Sequence, residues 1–306
     1  MYSSKKKNYY TILLLALFFS LSSCDNRETI NYWPEYGEVS TEKEIRYVIG
    51  IHPLHNPQRL HAIFGPLADL LTEKIDNAFF EIEASRNYAA FDEKLYSGKF
   101  EFALPNPYQT IRSLKHGYQI FGKMGDDDNF RGIILVRKDS KIYKVADLKG
   151  KTISFPAPTA LAATMMPQYY LHEHGIDVNQ DIKINYVGSQ ESSIMNVFLG
   201  DAAAGTTWPP PWKALSKERP QLLDELEIKW KTKPLPNNGF VVRNDIPLDI
   251  VDKVSAILFD LHKTKAGQTL LEPMELSQFE PASNQTYQPV NQFLKKFNDH
   301  VRKIEY

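Results

Sequence analysis

The chain has 306 residues, of which 42% are hydrophobic and 24% charged, with a formal net charge of -1. That length gives room for two compact lobes or one large α/β domain. The near-neutral charge argues against a nucleic-acid surface, which needs a basic patch. The single cysteine, Cys24, excludes disulfides within the chain, and the body that follows it has neither a thiolate metal site nor a cysteine nucleophile.

The first distinctive stretch is N-terminal. Lys5 to Lys7 form a positive segment, Ile12 to Phe19 a short apolar run, and Leu21-Ser22-Ser23-Cys24 follows. The apolar run is too short to cross a bilayer comfortably, and the layout is that of a cleaved export signal. Leu-Ser-Ser-Cys resembles the bacterial lipobox. The expectation is therefore a leader at 1–23, lipidation at Cys24 and a polar tether over 24–44. Asp25 resembles the residue that keeps some Gram-negative lipoproteins in the inner membrane; the expected place of the body is the periplasmic side of the inner membrane or, in another organism type, the outer face of the cytoplasmic membrane.

Folding is expected to begin at Ile45 to Ile51, a strand stopped by the turn-rich His52-Pro53-Leu54-His55-Asn56-Pro57. Apolar spacing at Leu60, Ile63, Phe64, Leu67, Leu70 and Leu71 predicts a helix from Leu60 to Ile75. A strand at Phe79 to Ala84, a helix from about Ala89 to Tyr96 and a strand at Phe100 to Leu104 come next. Alternating strands and helices predict a largely parallel sheet. Each of these strands ends in a loop carrying His, Asn, Tyr or Pro.

Gly132 to Asp139 then echoes Gly239 to Asp245, both apolar strands ending in Arg-x-Asp. Two similar strands enclosing a complete α/β unit predict a hinge of two crossing strands and closure of the lobes over a cleft. The boundaries read from this are 45–132 with 240–306 for lobe one and 133–239 for lobe two. Inside lobe two, Thr152 to Phe155 is a strand bounded by Pro156 and Pro158. Thr159 is the expected N-cap of a helix that starts at Ala160. A strand, a turn and a helix start put backbone N–H groups at the C-terminal edge of the sheet, where anions and other ligands bind. A strand at Asp181 to Val187, the loop Gly188 to Glu191, a helix to Leu199 and the run Trp208-Pro209-Pro210-Pro211-Trp212 complete the lobe. Helices from Val251 to Lys263 and near Val290 to Ile304 close the chain.

Taken together, Gly50-x-x-Pro53, Arg86-Asn87-Tyr88, Asn106-Pro107-Tyr108, Val136 to Ser140, Asp147-Leu148-Lys149-Gly150-Lys151, Val187-Gly188-Ser189 and Gly200-Asp201-Ala202 resemble one known family. It is that of the phosphate/phosphite/phosphonate-type periplasmic substrate-binding proteins of ABC transporters, and the resemblance covers roughly Ile45 to Leu258. It implies an α/β, type II-like periplasmic-binding-protein fold with two lobes and a ligand buried between them. It implies no cofactor, no metal and no catalysis, with an ABC permease as partner and a monomeric body.

The departures from the family are informative. Phosphonate binders resemble one another in a Ser-Thr-Ser-Gly turn at the start of the lobe-two helix, where this chain has Ala160-Leu161-Ala162-Ala163. The family's His after Gly-Ser is here Gln190. A dianion in a dry cleft needs several charge-assisted hydrogen bonds, each worth roughly 1.5–3 kcal/mol. With most of them missing, a neutral or less charged ligand held partly by aromatic faces is expected. The resemblance places Tyr88 and Tyr108 on lobe one as contacts, with Asn106 beside them. On lobe two Thr159, Ala160, Ser189, Gln190, Thr207 and Trp208 are expected to face the cleft, and His52 adds a polar group from the first loop.

Two rival readings are weaker. His52, His55 and His61 lack a carboxylate or Cys at metal-binding spacing. An enzyme of the same shape would need a nucleophile elbow or a His–carboxylate pair, and neither is present. A third reading, a sensing lipoprotein that docks on a membrane histidine kinase, is not separated from transport by composition.

Overall fold

The structure, a computed structural model, describes residues 44–304, which lie within one compact unit. The expected leader, Cys24 and nearly all of the tether lie outside the described residues. The chain first builds β1 (Ile45–Ile51), α1 (Pro57–Lys74), β2 (Ala78–Ala84), α2 (Tyr88–Tyr96), β3 (Phe102–Leu104), α3 (Pro107–Ser113) and β4 (Tyr118–Met124). It then crosses to β5 (Ile133–Arg137) and β6 (Thr152–Phe155). A π-helical turn (Leu161–Met165) runs directly into α4 (Met166–Glu173). After these come β7 (Lys183–Tyr186), α5 (Gln190–Phe198), β8 (Ala204–Thr207), α6 (Pro209–Glu218), α7 (Gln221–Glu225) and β9 (Leu226–Lys231). The chain returns through β10 (Gly239–Arg243), α8 (Leu248–Asp260), α9 (Lys265–Leu271), β11 (Phe279–Pro281) and α10 (Gln288–His300).

These strands form two sheets, ordered β11-β4-β10-β3-β1-β2 and β7-β6-β8-β5-β9. Each sheet is the core of one lobe. β1 pairs in parallel with β2 and β3, and β6 with β7 and β8, as strand–helix alternation requires. The sheets are nevertheless mixed. β10 is antiparallel to both β3 and β4, and β5 to both β8 and β9. The expectation of a largely parallel sheet holds only for the three-strand parallel set of each lobe. A strand that enters a sheet from the other lobe arrives running the opposite way.

β5 and β10 are the two echoing strands, and each is buried along almost its whole length. They occupy the same place, one per sheet, covered on both faces. Their Arg-x-Asp ends make the same fork: Arg137 Nε donates to Asp139 at 2.9 Å and Arg243 Nε to Asp245 at 2.6 Å. They are not the crossings, which corrects the hinge expectation. The lobes are joined by irregular segments at 125–132 and 232–238, each lying immediately before one of the echoing strands. Side chains tie the two segments together. Asn237 Nδ2 donates to the Gly125 carbonyl at 2.7 Å, and the Gly132 N–H donates to Thr232 Oγ1 at 2.9 Å.

The C-terminal helix α10 touches α3 of lobe one and α4 of lobe two. Phe293 packs edge-on to Tyr169 at 5.5 Å. Arg302 donates to Gln168 Oε1 at 3.0 Å and to the Pro158 carbonyl at 2.6 Å. The tail placed in lobe one by the sequence thus also holds the segment leading into the π turn.

Candidate functional site

The C-terminal ends of β1 and β3 face those of β6 and β8 across the cleft, the position where open α/β sheets bind ligands. The lobes already touch there. Gln190 Nε2 donates to the Tyr88 hydroxyl at 3.2 Å, and Asn106 Nδ2 donates to the Thr159 carbonyl at 3.1 Å. Arg59 pairs with Glu218, and Lys213 with Glu275, farther out on the rim. Between the lobes remains a cavity of about 10 Å³, walled by both. That is room for about one water-sized molecule. Anything larger requires the lobes to part.

The helix starts around this cleft differ in what they offer. Asn56, Asn87 and Asn106 cap α1, α2 and α3, each side chain accepting the N–H three residues on. Asn106 completes a capping box with Gln109. In lobe two, Ser189 caps α5 by accepting from the Ser192 N–H at 3.0 Å. The start of α6 is Pro209-Pro210-Pro211, which has no N–H to cap. One start is left open. Ala160, not Thr159, is the N-cap of the π turn, and its methyl group accepts nothing. The Thr164 and Met165 N–H groups both reach the Ala160 carbonyl, at 2.8 and 3.2 Å. Among the described residues, nothing accepts from the amides of Leu161, Ala162 and Ala163, three residues that line the cavity. Gly132 lets the crossing segment press on this turn, since a Cβ there would lie 2.5 Å from the Ala162 carbonyl.

The side chains of the wall are neutral. His52 is 2% exposed, and its Nδ1 lies 2.8 Å from the Leu104 carbonyl, so Nδ1 carries the proton and Nε2 is a bare acceptor. Burial lowers its pKa to about 4, against a small opposing effect of that hydrogen bond. A hydrogen-bonded series crosses the lobes. Thr207 Oγ1 donates to Gln190 Oε1 at 2.8 Å, and Gln190 in turn donates to Tyr88. Burial raises the Tyr88 phenol above its ordinary range, only partly opposed by the Gln190 bond. The phenol therefore keeps a proton to donate. Asn238, on the return crossing, gives its Nδ2 to the Met124 sulfur at 3.4 Å. Its Oδ1 is fully buried and has no hydrogen-bond partner.

Of the residues singled out in the sequence, His52, Tyr88, Asn106, Ala160, Gln190 and Trp208 come together on this cavity. Four do not. Tyr108 lies in the first turn of α3 and packs under the Arg112 guanidinium, 5.7 Å from its ring centroid. Thr159 contributes its carbonyl to Asn106 and faces an outer groove of about 620 Å³ shared with Asp92 and Arg302. Ser189 is occupied as a cap, and Thr207 stands behind Gln190. Phe130 and Asn238 were missed. Both sit on the crossings, where the run Pro234-Leu235-Pro236-Asn237-Asn238-Gly239 before an apolar strand was the available signal. His61 is exposed on α1, and among the described residues no group of three or more metal-ligating side chains assembles.

A two-lobed α/β body with a shared, desolvated cavity at its strand ends defines a binding protein of the periplasmic type. Over residues 49–287 the chain matches the family described as ABC transporter, phosphonate, periplasmic substrate-binding protein. The chain belongs to that family. It is 22% identical over 262 residues to the phosphonates-binding periplasmic protein of Escherichia coli, covering 82% of this chain and 76% of that one. The fold is similar to that of a binding protein component of an ABC phosphonate transporter from Pseudomonas aeruginosa. There the TM-score is 0.76 at 17% identity, over 84% of this chain and 87% of that one. PhnD1 of Prochlorococcus marinus, solved with methylphosphonate, gives 0.76 at 19% identity over 85% of this chain and 99% of that one. These relatives are substrate-binding transport proteins.

Proposed function

We propose that this chain is a lipid-anchored solute-binding protein that closes its lobes on a small uncharged or weakly charged ligand and delivers it to an ABC permease. The observation that carries the specificity is the cavity wall. Among the described residues no cationic side chain faces it, His52 is neutral, and Ala160 to Ala163 stand where phosphonate binders carry hydroxyls. A doubly charged oxyanion would there meet only neutral donors: backbone amides, the Tyr88 phenol, the Trp208 indole and the side-chain amides of Asn106, Gln190 and Asn238. Burying charge without matched donors costs several kcal/mol, on the order of what such a ligand gains elsewhere. Contacts from both lobes favour closure because a ligand touching both binds the closed arrangement better than the open one. Anchoring through Cys24 is supported by the lipobox-like sequence alone.

The test is a thermal-shift panel on the full chain in detergent, with phosphate, methylphosphonate and small uncharged amides and polyols. A ligand at 100 times its Kd stabilises the fold by about 2.7 kcal/mol. The largest shift is expected from an uncharged compound, and a larger shift with methylphosphonate would overturn the specificity. Cys24→Ser is expected to move the protein from the membrane to the soluble fraction of the envelope.

A further inference from the structure

We infer that the cavity selects a ligand carrying an N–H or O–H donor at one end and an acceptor at the other, with Asn238 and His52 reading the donor end. This rests on the solute-binding reading above and assigns residues to it. Three facts carry it. Asn238 Oδ1 is a fully buried acceptor with no partner, although its backbone N–H is satisfied by Asn237 Oδ1 at 2.8 Å and its carbonyl by the Met124 N–H at 2.9 Å. A buried, unsatisfied carbonyl of this kind is rare in a native fold and calls for a donor. His52 Nε2 is a second unused acceptor on the same wall, fixed as such by the Nδ1 proton committed to Leu104. The donors opposite are the free amides of Leu161, Ala162 and Ala163 on lobe two; the Tyr88 hydroxyl, whose oxygen already accepts from Gln190, stands on lobe one beside His52, the two rings 6.3 Å apart.

The complementary molecule is therefore polar at both ends and needs no net charge. An amide or urea group has this pattern in one plane, its carbonyl oxygen toward the π turn and its N–H groups toward Asn238 and His52. A fully ionised oxyanion offers acceptors only, and would set lone pairs against Asn238 Oδ1 and His52 Nε2. This acceptor pair discriminates against doubly ionised phosphonates independently of the missing hydroxyls.

Binding of urea, N-methylurea, trimethylamine N-oxide and methylphosphonate to the full chain in detergent, measured by calorimetry, tests this. Trimethylamine N-oxide is the control: an uncharged acceptor with no donor. N-methylurea or urea is expected to bind at least tenfold more tightly than the N-oxide, and Asn238→Leu to remove about tenfold of that affinity, one hydrogen bond's worth. Asn238→Asp keeps the shape and adds charge, and is expected to raise guanidinium binding at least tenfold, which serves if Asn238→Leu fails to fold. Equal binding of the N-oxide, or unchanged urea affinity in Asn238→Leu together with no guanidinium gain in Asn238→Asp, overturns the role of Asn238 while leaving an uncharged ligand standing. Methylphosphonate binding with no response to the ureas overturns both the donor-reading pair and the uncharged specificity. Failure of all four probes to bind overturns the inference as well.

Discussion

The two lobes share one plan and use it differently. Each has a central strand ending in an Arg-x-Asp fork and three parallel strands whose ends face the cleft. Lobe one seals the helix starts at its cleft with Asn56, Asn87 and Asn106. Lobe two seals one with Ser189, removes the donors of another with three prolines and leaves Leu161 to Ala163 open. Conversely, lobe one supplies His52 as an unused acceptor, whereas the neutral Gln190 opposite is fully engaged. Where a protein leaves a hydrogen-bonding group unsatisfied is a better pointer to its ligand than where it has polar residues. Here the open backbone donors lie on lobe two and the open acceptors on lobe one and the crossing, with the Tyr88 phenol as a donor on lobe one.

The largest effect expected from this contrast is on acid stability. His52 has a folded pKa of about 4 against an ordinary 6.5, so the folded state binds the proton less well than the unfolded chain. Its contribution is complete above pH 6.5 and is lost as the pH falls toward 4, by on the order of 3 kcal/mol. Denaturant unfolding at pH 7 and pH 4 should show this loss shrink in His52→Asn, which can still donate to Leu104. His55, whose pKa burial lowers to about 3, accounts for part of the slope that remains. Gln190→Asn, at the facing position on lobe two, should leave the pH dependence unchanged.

Next come the seals. Asn106→Ala removes a capping box and a bond between the lobes, and is expected to destabilise by about 2 kcal/mol, against about 1 kcal/mol for Asn87→Ala, which loses only a cap. Equal losses in the two variants would show that the Asn106–Thr159 bond contributes nothing in solution. The reverse experiment closes lobe two. Ala160→Ser provides the missing cap and is expected to stabilise by about 0.5–1 kcal/mol. It should also weaken ligand binding about tenfold, because its hydroxyl takes an amide the ligand needs. A variant that is stabilised and binds unchanged would remove the π turn from the site.

Much of this was legible in the sequence, and for identifiable reasons. Helical spacing and strand alternation gave the elements, and proline and glycine their limits. The departure at Ala160 to Ala163 was visible against the resembled family, whose members carry a Ser-Thr-Ser-Gly turn at that helix start. The echo between β5 and β10 was real, and the boundaries read from it, 132/133 and 239/240, fall where the irregular crossings meet these strands; what two similar strands do not reveal is that the crossings precede them. Tyr108 follows Pro107 in the first turn of a capped helix, and its side chain is buried in the core beside Arg112, a position its loop-like sequence context did not reveal. Asn238 was illegible because its importance is a missing bond, and only packed coordinates show what a side chain fails to reach.

The smallest expected effect lies at the edge of the sealed lobe. Asp92 accepts from Gln109 Nε2 at 2.5 Å beside the outer groove, and burial pushes its carboxyl up to about 6 despite the Gln109, Arg112 and Thr159 contacts that oppose the rise. A carboxyl whose folded pKa exceeds its unfolded value of 3.8 binds protons better when folded. It therefore adds stability as the pH falls from 6 toward 3.8 and withdraws it at neutral pH, opposite in sign to His52. Because the group borders solvent, screening reduces the effect to about 0.5–1 kcal/mol. Asp92→Asn should raise stability at pH 7 by that amount, leave it unchanged near pH 4 and steepen the net loss between them, since the His52 term is no longer partly offset. A destabilised Asp92→Asn at pH 7 would mean that the ionised carboxylate is held by its neighbours more strongly than its burial disfavours it. The outer groove of lobe one would then carry a working negative charge.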